Sequence, residues 1–157
     1  MQTNQSCACD EIGDFAVIGM GAHDGLDDRA FATIKRDVRH GGDQWWLDAG
    51  TCTNCRQHWM VAEEERIHDN FCLKRINESE FRAIIDQNDW PNDFLRFEDV
   101  LRAERDAGQI ATFLSIKDSP LAETVKELQN ARPSISVEDI AYVLAISRNT
   151  AAKLMKA

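Results

Sequence analysis

The stretch Trp46-Leu47-Asp48-Ala49-Gly50-Thr51-Cys52-Thr53-Asn54-Cys55-Arg56-Gln57-His58-Trp59 sets a C-x-x-C turn between two strand-like segments. Residues 44–50 read as the strand arriving, Gly50 relaxes the entry to the turn, and residues 57–62 read as the strand leaving. A turn of this kind lets both sulfurs point the same way. A second pair, Cys7-Ala8-Cys9, stands far upstream. Two short cysteine pairs distant in sequence supply four thiolates to one tetrahedral zinc, each sulfur about 2.3 Å from the metal. The expected ligands are therefore Cys7, Cys9, Cys52 and Cys55, and the expected cofactor is a closed, structural Zn2+. Such a site ties the N-terminal segment to the middle of the chain.

Outward from the turn, the first half reads as β. Residues 15–20 are a short apolar run. Residues 30–38 alternate, Phe31, Thr33, Lys35 and Asp37 against Ala32, Ile34, Arg36 and Val38, which fits a period of two better than 3.6. His40-Gly41-Gly42-Asp43 is a turn signal that makes residues 44–50 the returning strand of a hairpin. Residues 57–66 begin as a strand through Trp59 and Val61, and residues 67–71 turn into another over residues 71–76. The run Glu63-Glu64-Glu65-Arg66 keeps a helix open at that point.

At Asn77 the pattern changes. Asn77-Glu78-Ser79-Glu80 carries a cap residue followed three positions later by Glu, a helix start. A longer helix is expected from residue 91 or 92 to Ala107, with Gly108 as its stop. Residues 109–117 read equally as strand or helix. Ser119-Pro120 opens another helix, Ser136 caps the next over residues 137–145, and Ser147 caps a last one over residues 148–156. The expected fold is α+β: a zinc-binding, antiparallel β-rich unit over residues 1–76 and a helical region over residues 77–157, with a trihelical unit in residues 119–157.

Two local resemblances add to this. Residues 46–59 resemble the knuckle of a zinc ribbon, although ribbons usually use a second C-x-x-C where this chain has C-x-C. Ser136-Val137-Glu138-Asp139-Ile140-Ala141-Tyr142-Val143-Leu144-Ala145-Ile146-Ser147-Arg148-Asn149-Thr150-Ala151-Ala152-Lys153-Leu154 resembles the helix-turn-helix of bacterial transcription regulators. The turn position usually held by Gly is Ala145, so the turn is made without a favourable left-handed residue. The second resemblance implies duplex DNA as partner and a recognition helix over residues 148–156. On it Arg148, Asn149 and Thr150 would face base edges, and Lys153 and Lys156 phosphates.

Charge divides the chain. Residues 119–157 hold Lys126, Arg132, Arg148, Lys153 and Lys156 against Glu123, Glu127, Glu138 and Asp139, a net of +1. The chain as a whole carries −9, so residues 1–118 carry −10. An acidic body repels nucleic acid and suits a basic protein partner. Two functions from different classes follow. One is a DNA-binding regulator or antitoxin-like protein; the other is an acidic protein-binding inhibitor, such as an immunity or phage-encoded inhibitor, with a purely structural zinc. A homodimer is compatible with either. With no nucleophile–base pair, phosphate loop or second metal cluster in view, no catalytic residue is assigned and an enzyme is not expected.

At 157 residues and 43% hydrophobic the chain affords a real core, and no apolar run is long enough to cross a membrane. The polar start Met1-Gln2-Thr3-Asn4-Gln5-Ser6 is not a secretory signal, so a cytoplasmic, reducing location is expected, where paired cysteines are metal ligands more often than disulfides. His58 reads as a residue flanking the knuckle, with replacement of Cys7 or Cys9 as the alternative. Cys72 reads as a buried inert thiol. His23, His40 and His68, and the acidic runs at residues 63–65 and 24–28, read as solvated. Of the adjacent Trp45 and Trp46, one must face the core and the other away.

Overall fold

Residues 7–42, 44–111 and 119–156 are described by the computed structural model. Of the stretch left open between strand and helix, residues 112–117 lie outside the described residues. The elements in chain order are α1 (Cys9–Ile12), β1 (Phe15–Gly19), α2 (Leu26–Thr33), β2 (Ile34–Gly42), β3 (Trp45–Cys52), β4 (His58–Glu64), β5 (Asn70–Ile76), α3 (Glu78–Gln87), a 3-10 turn at Asn92–Phe94, α4 (Phe97–Asp106), α5 (Ser119–Ala131), α6 (Val137–Leu144) and α7 (Arg148–Lys156). The fold is α+β. The five strands form one antiparallel sheet in the order β1-β5-β4-β3-β2.

Period-two alternation sends each strand's side chains to two different covers. Trp45, Leu47, Ala49, Met60, Ala62 and Cys72 face the C-terminal helices and pack with Val100, Leu101, Val125, Ile140 and Leu144. Trp59, Val61, Leu73 and Cys52 face the opposite way and pack with Cys9, Ile12 and Ala30 of the two short N-terminal helices. Strand β4 is thus buried on both faces, which is why it reads as a continuous apolar run rather than an alternation. Trp45 stacks on Phe97 with ring centroids 5.4 Å apart, while Trp46 turns to the other face under the Arg39 guanidinium.

Both capping boxes are formed. The Glu80 N–H donates to Asn77 Oδ1 and the Asn77 N–H to the Glu80 carboxylate; Ser136 and Asp139 do the same at α6. Helices α4, α5 and α6 are joined by one ionic cluster. Arg132 donates to Glu98 at 2.9 and 2.8 Å and to Asp139 at 2.8 Å, and Arg102 also reaches Glu98. The Arg132 guanidinium holds both carboxyls below their ordinary range, Asp139 at about 2.

Three expectations are corrected. Residues 30–33 are the end of helix α2, not strand; Gly25 at φ 70° starts the helix, Asp27 and Asp28 suit its N-terminal dipole, and Ala30 and Thr33 are buried at helical spacing. The single helix expected up to Ala107 is broken, because Arg96 is extended (φ −108°, ψ 149°) between the 3-10 turn and α4. His68, Glu63, Glu64 and Asp27 are buried rather than solvated. His68 Nε2 lies 3.0 Å from the Val143 carbonyl, and the Ala111 N–H donates to Nδ1 at 3.0 Å. These partners select the neutral Nε2–H tautomer, and burial lowers the imidazole pKa to match. Glu64 closes the β4–β5 turn by accepting from the Ile67 and His68 backbone N–H groups at 2.7 and 2.6 Å.

Candidate functional site

The β3–β4 turn brings Cys52 and Cys55 together by ordinary hairpin bonds: the Cys52 N–H donates to the Gln57 carbonyl at 2.9 Å, and the Arg56 N–H returns to the Cys52 carbonyl at 3.0 Å. Arg56 takes a left-handed φ of 70° to close it. Gly50 matters here for a different reason than expected. A Cβ on it would meet the Lys35 carbonyl oxygen at 2.6 Å, so glycine lets β2 cross close to β3 beside the C-x-x-C turn. The end of α2 is locked to the turn, since the Thr53 N–H donates to the Thr33 carbonyl at 2.8 Å.

The other pair is carried by the first turn of α1, which Arg75 holds against the sheet by donating to the Cys9 and Gly13 carbonyls at 3.1 and 3.2 Å. The result is a cluster in which the sulfurs of Cys7, Cys9, Cys52 and Cys55 all lie within 4.8 Å of one another. Sulfurs around a tetrahedral zinc at about 2.3 Å stand about 3.8 Å apart. The arrangement needs only a small contraction to hold one metal ion. All five cysteines are free thiols.

The surroundings lower two of the four thiols and raise the other two. Asn54, inside the C-x-x-C, is the first of the donors that lower Cys7. Burial pushes Cys52 up, but the backbone N–H groups of Cys55 and Asn54 and the Thr33 hydroxyl outweigh it and bring the thiol to about 6. Cys9 is pushed up by burial, with the neighbouring thiols adding, and Cys55 is raised as well. One group opposes the rise at Cys9. The indole N–H of Trp59 is buried without a conventional hydrogen-bond partner and lies beside the Cys9 sulfur. A buried donor beside a sulfur suits a charged thiolate, the form a metal holds. Sequence reading missed Trp59, Thr33 and Asn54 as supports of the cluster; only Asn54 was signalled, by its place between the ligands.

His58 is not part of the cluster. Its Nδ1 lies 2.8 Å from the Thr51 hydroxyl and its Nε2 2.6 Å from Glu78, and its ring stacks on Phe81. Cys72 is fully buried on β5, with burial raising its thiol well above the ordinary value.

The basic residues of the C-terminal helices sit apart from the cysteines. Ala145 joins α6 to α7 at φ 55°, ψ 45°, with Ile146 folded back so that its N–H meets the Ala141 carbonyl at 3.0 Å. Ala151 and Leu154 bury one side of α7. Asn149, Ala152, Lys153 and Lys156, spaced three and four apart, form the opposite stripe, in which Asn149, Lys153 and Lys156 are exposed. Arg148 stands at its edge, paired with Glu138 at 2.8 Å. Thr150 is turned to the helix start, where its hydroxyl accepts from Ser147 at 2.8 Å. The structure thus gathers Asn149, Lys153 and Lys156 on one face and sets Arg148 and Thr150 beside it. No helix among the described residues is long and apolar enough to cross a membrane.

No protein-family model, no curated protein and no solved structure matches the chain.

Proposed function

We propose that the protein is a small DNA-binding regulator, of the antitoxin-like kind, whose first half is fixed by a structural zinc. The observation that carries the DNA reading is the exposed Asn149–Lys153–Lys156 stripe of α7, set on a buried Ala151–Leu154 seam against α5 and α6. A helix seated this way on a trihelical support enters the major groove in helix-turn-helix proteins. Asn pairs well with adenine, Lys with guanine or phosphate, and Arg148 becomes available once its exposed pair with Glu138 opens. The acidic remainder keeps DNA contact confined to this end of the molecule.

Zinc is the metal that best suits the cluster, because four thiolates in a tetrahedron satisfy a soft, geometry-tolerant ion. Four protein ligands leave no open position, so the site stabilises rather than catalyses. The test of function is duplex DNA binding across a salt series. Affinity that falls steeply with salt, and that Arg148→Ala and Lys153→Ala weaken with a shallower salt slope, is expected. Absence of binding at low salt overturns the reading.

A further inference from the structure

Phe15, on the edge strand β1, is 45% exposed, the most open of the large apolar side chains among the described residues. Its ring lies 5.6 Å from that of buried Phe94. Together with Ala103 of α4 and Ala107 just past its end, the two rings line a groove of about 500 Å³. That is within the range of about 300–1,000 Å³ typical of ligand sites.

The rim of this groove is anionic. Asp93, Asp99 and Asp106 line it, against one cation, Arg102. Arg102 is already engaged by Glu98 at 3.1 Å and Asp139 at 3.5 Å. Asp93 is matched by Lys74 and Asp99 by Arg96. Asp106 is different: its partner is the neutral hydroxyl of Tyr142. Asp106 also ends α4, where the helix dipole adds partial negative charge. An apolar floor and a carboxylate held by a neutral hydroxyl therefore coincide at one end of the groove.

We propose that this groove binds a basic segment of a protein partner, an aliphatic or aromatic side chain seated on Phe15 and Phe94 and a neighbouring Lys or Arg reaching Asp106. The charge of −10 on residues 1–118 steers such a segment in. It also argues against a second copy of this chain as occupant, since each copy carries −9. The surface is distinct from the α7 stripe, so its occupancy and DNA binding are separable.

The experiment uses the full chain and two fluorescein-labelled peptides, one alternating Lys and Leu and one alternating Glu and Leu, followed by anisotropy at low salt. The Lys–Leu peptide is expected to bind and the Glu–Leu peptide not. Phe15→Ser and Asp106→Asn are each expected to weaken binding by about ten-fold, roughly 1.4 kcal/mol. Ala107→Trp, at an exposed position, fills the groove and gives the same loss. Circular dichroism of all three variants should match the parent. No binding, equal binding of both peptides, or binding unmoved by the variants overturns the proposal. A dimer seen by light scattering and lost in Phe15→Ser reassigns the groove to a second copy and overturns it too. DNA affinity unchanged in Phe15→Ser separates this outcome from that of the α7 reading.

Discussion

Glu104 stands against Glu64 where α4 meets the sheet, and both side chains are completely buried. Glu64 is committed to three backbone N–H groups of the β4–β5 turn. Glu104 accepts from the Asn70 amide at 2.6 Å through one oxygen, while the other has no donor. Burial, with the Glu64 carboxylate adding, pushes Glu104 up to about 11. It is a neutral acid whose proton serves the oxygen pair.

The pH dependence follows in sign. In the unfolded chain Glu104 ionises near its ordinary 4.5, and in the folded protein only near 11. Folding therefore has its full advantage from this group below about pH 4.5 and loses stability as pH rises toward 11. Glu104→Gln keeps a donor for Glu64 and an acceptor for Asn70 without the proton. It should raise stability by about 5 kcal/mol near pH 8 and by almost nothing near pH 4. Thermal melts of both proteins across pH check this, and parallel pH curves would contradict it.

Ala145 occupies a left-handed conformation, which costs a non-glycine residue about 1 kcal/mol or more. Ala145→Gly removes that cost against a smaller entropic loss in the unfolded chain. A net gain of about 0.5–1 kcal/mol is expected, a rise of about 2–4 °C in Tm. A loss of stability would mean that the methyl group packs between α6 and α7.

Arg132 is the hub between Glu98 and Asp139. Both carboxyls are lowered, so their contribution to stability is present above their ordinary values and lost as pH falls, for Asp139 from about 4 to about 2. Arg132→Gln should lower Tm at neutral pH and flatten the acid limb of the stability curve between those values. An acid limb of unchanged slope would place the acid sensitivity elsewhere.

Native mass spectrometry should find one zinc per chain, and X-ray absorption four sulfurs at about 2.3 Å. Cys52→Ser should lose the metal together with the near-ultraviolet signal of Trp59, which lies against the cluster. A Cys52→Ser chain with an unchanged tryptophan signal would make the cysteines dispensable to the fold.

Local chemistry was legible and distant packing was not. The caps at Asn77 and Ser136, the C-x-x-C turn between two strands at Cys52 and the two-faced pair Trp45–Trp46 are decided within a few residues, and each stands where its own stretch of sequence puts it. Helix α2 was misread because residues 30–38 alternate weakly, and the signal that mattered, Leu26, Ala30 and Thr33 after Gly25, straddles the start of that run. His68 and Glu64 carry polar side chains in a turn, so they read as solvated. What covers His68 is the arrival of α6 and of Ala111, and what faces Glu64 is Glu104 of α4. The groove at Phe15 is of the same kind, since its walls come from β1 and α4 and no single segment announces it.

The C-x-C pair and the C-x-x-C turn belong to opposite ends of a long excursion, with β1, α2, β2 and β3 all between them. During synthesis the early pair leaves the ribosome unmatched and waits for the β3–β4 hairpin. The sheet waits longer, because among the described residues β1 pairs with β5 alone. Metal capture can therefore precede sheet closure, gathering the two edges of the nascent half before the strand that joins them has been made.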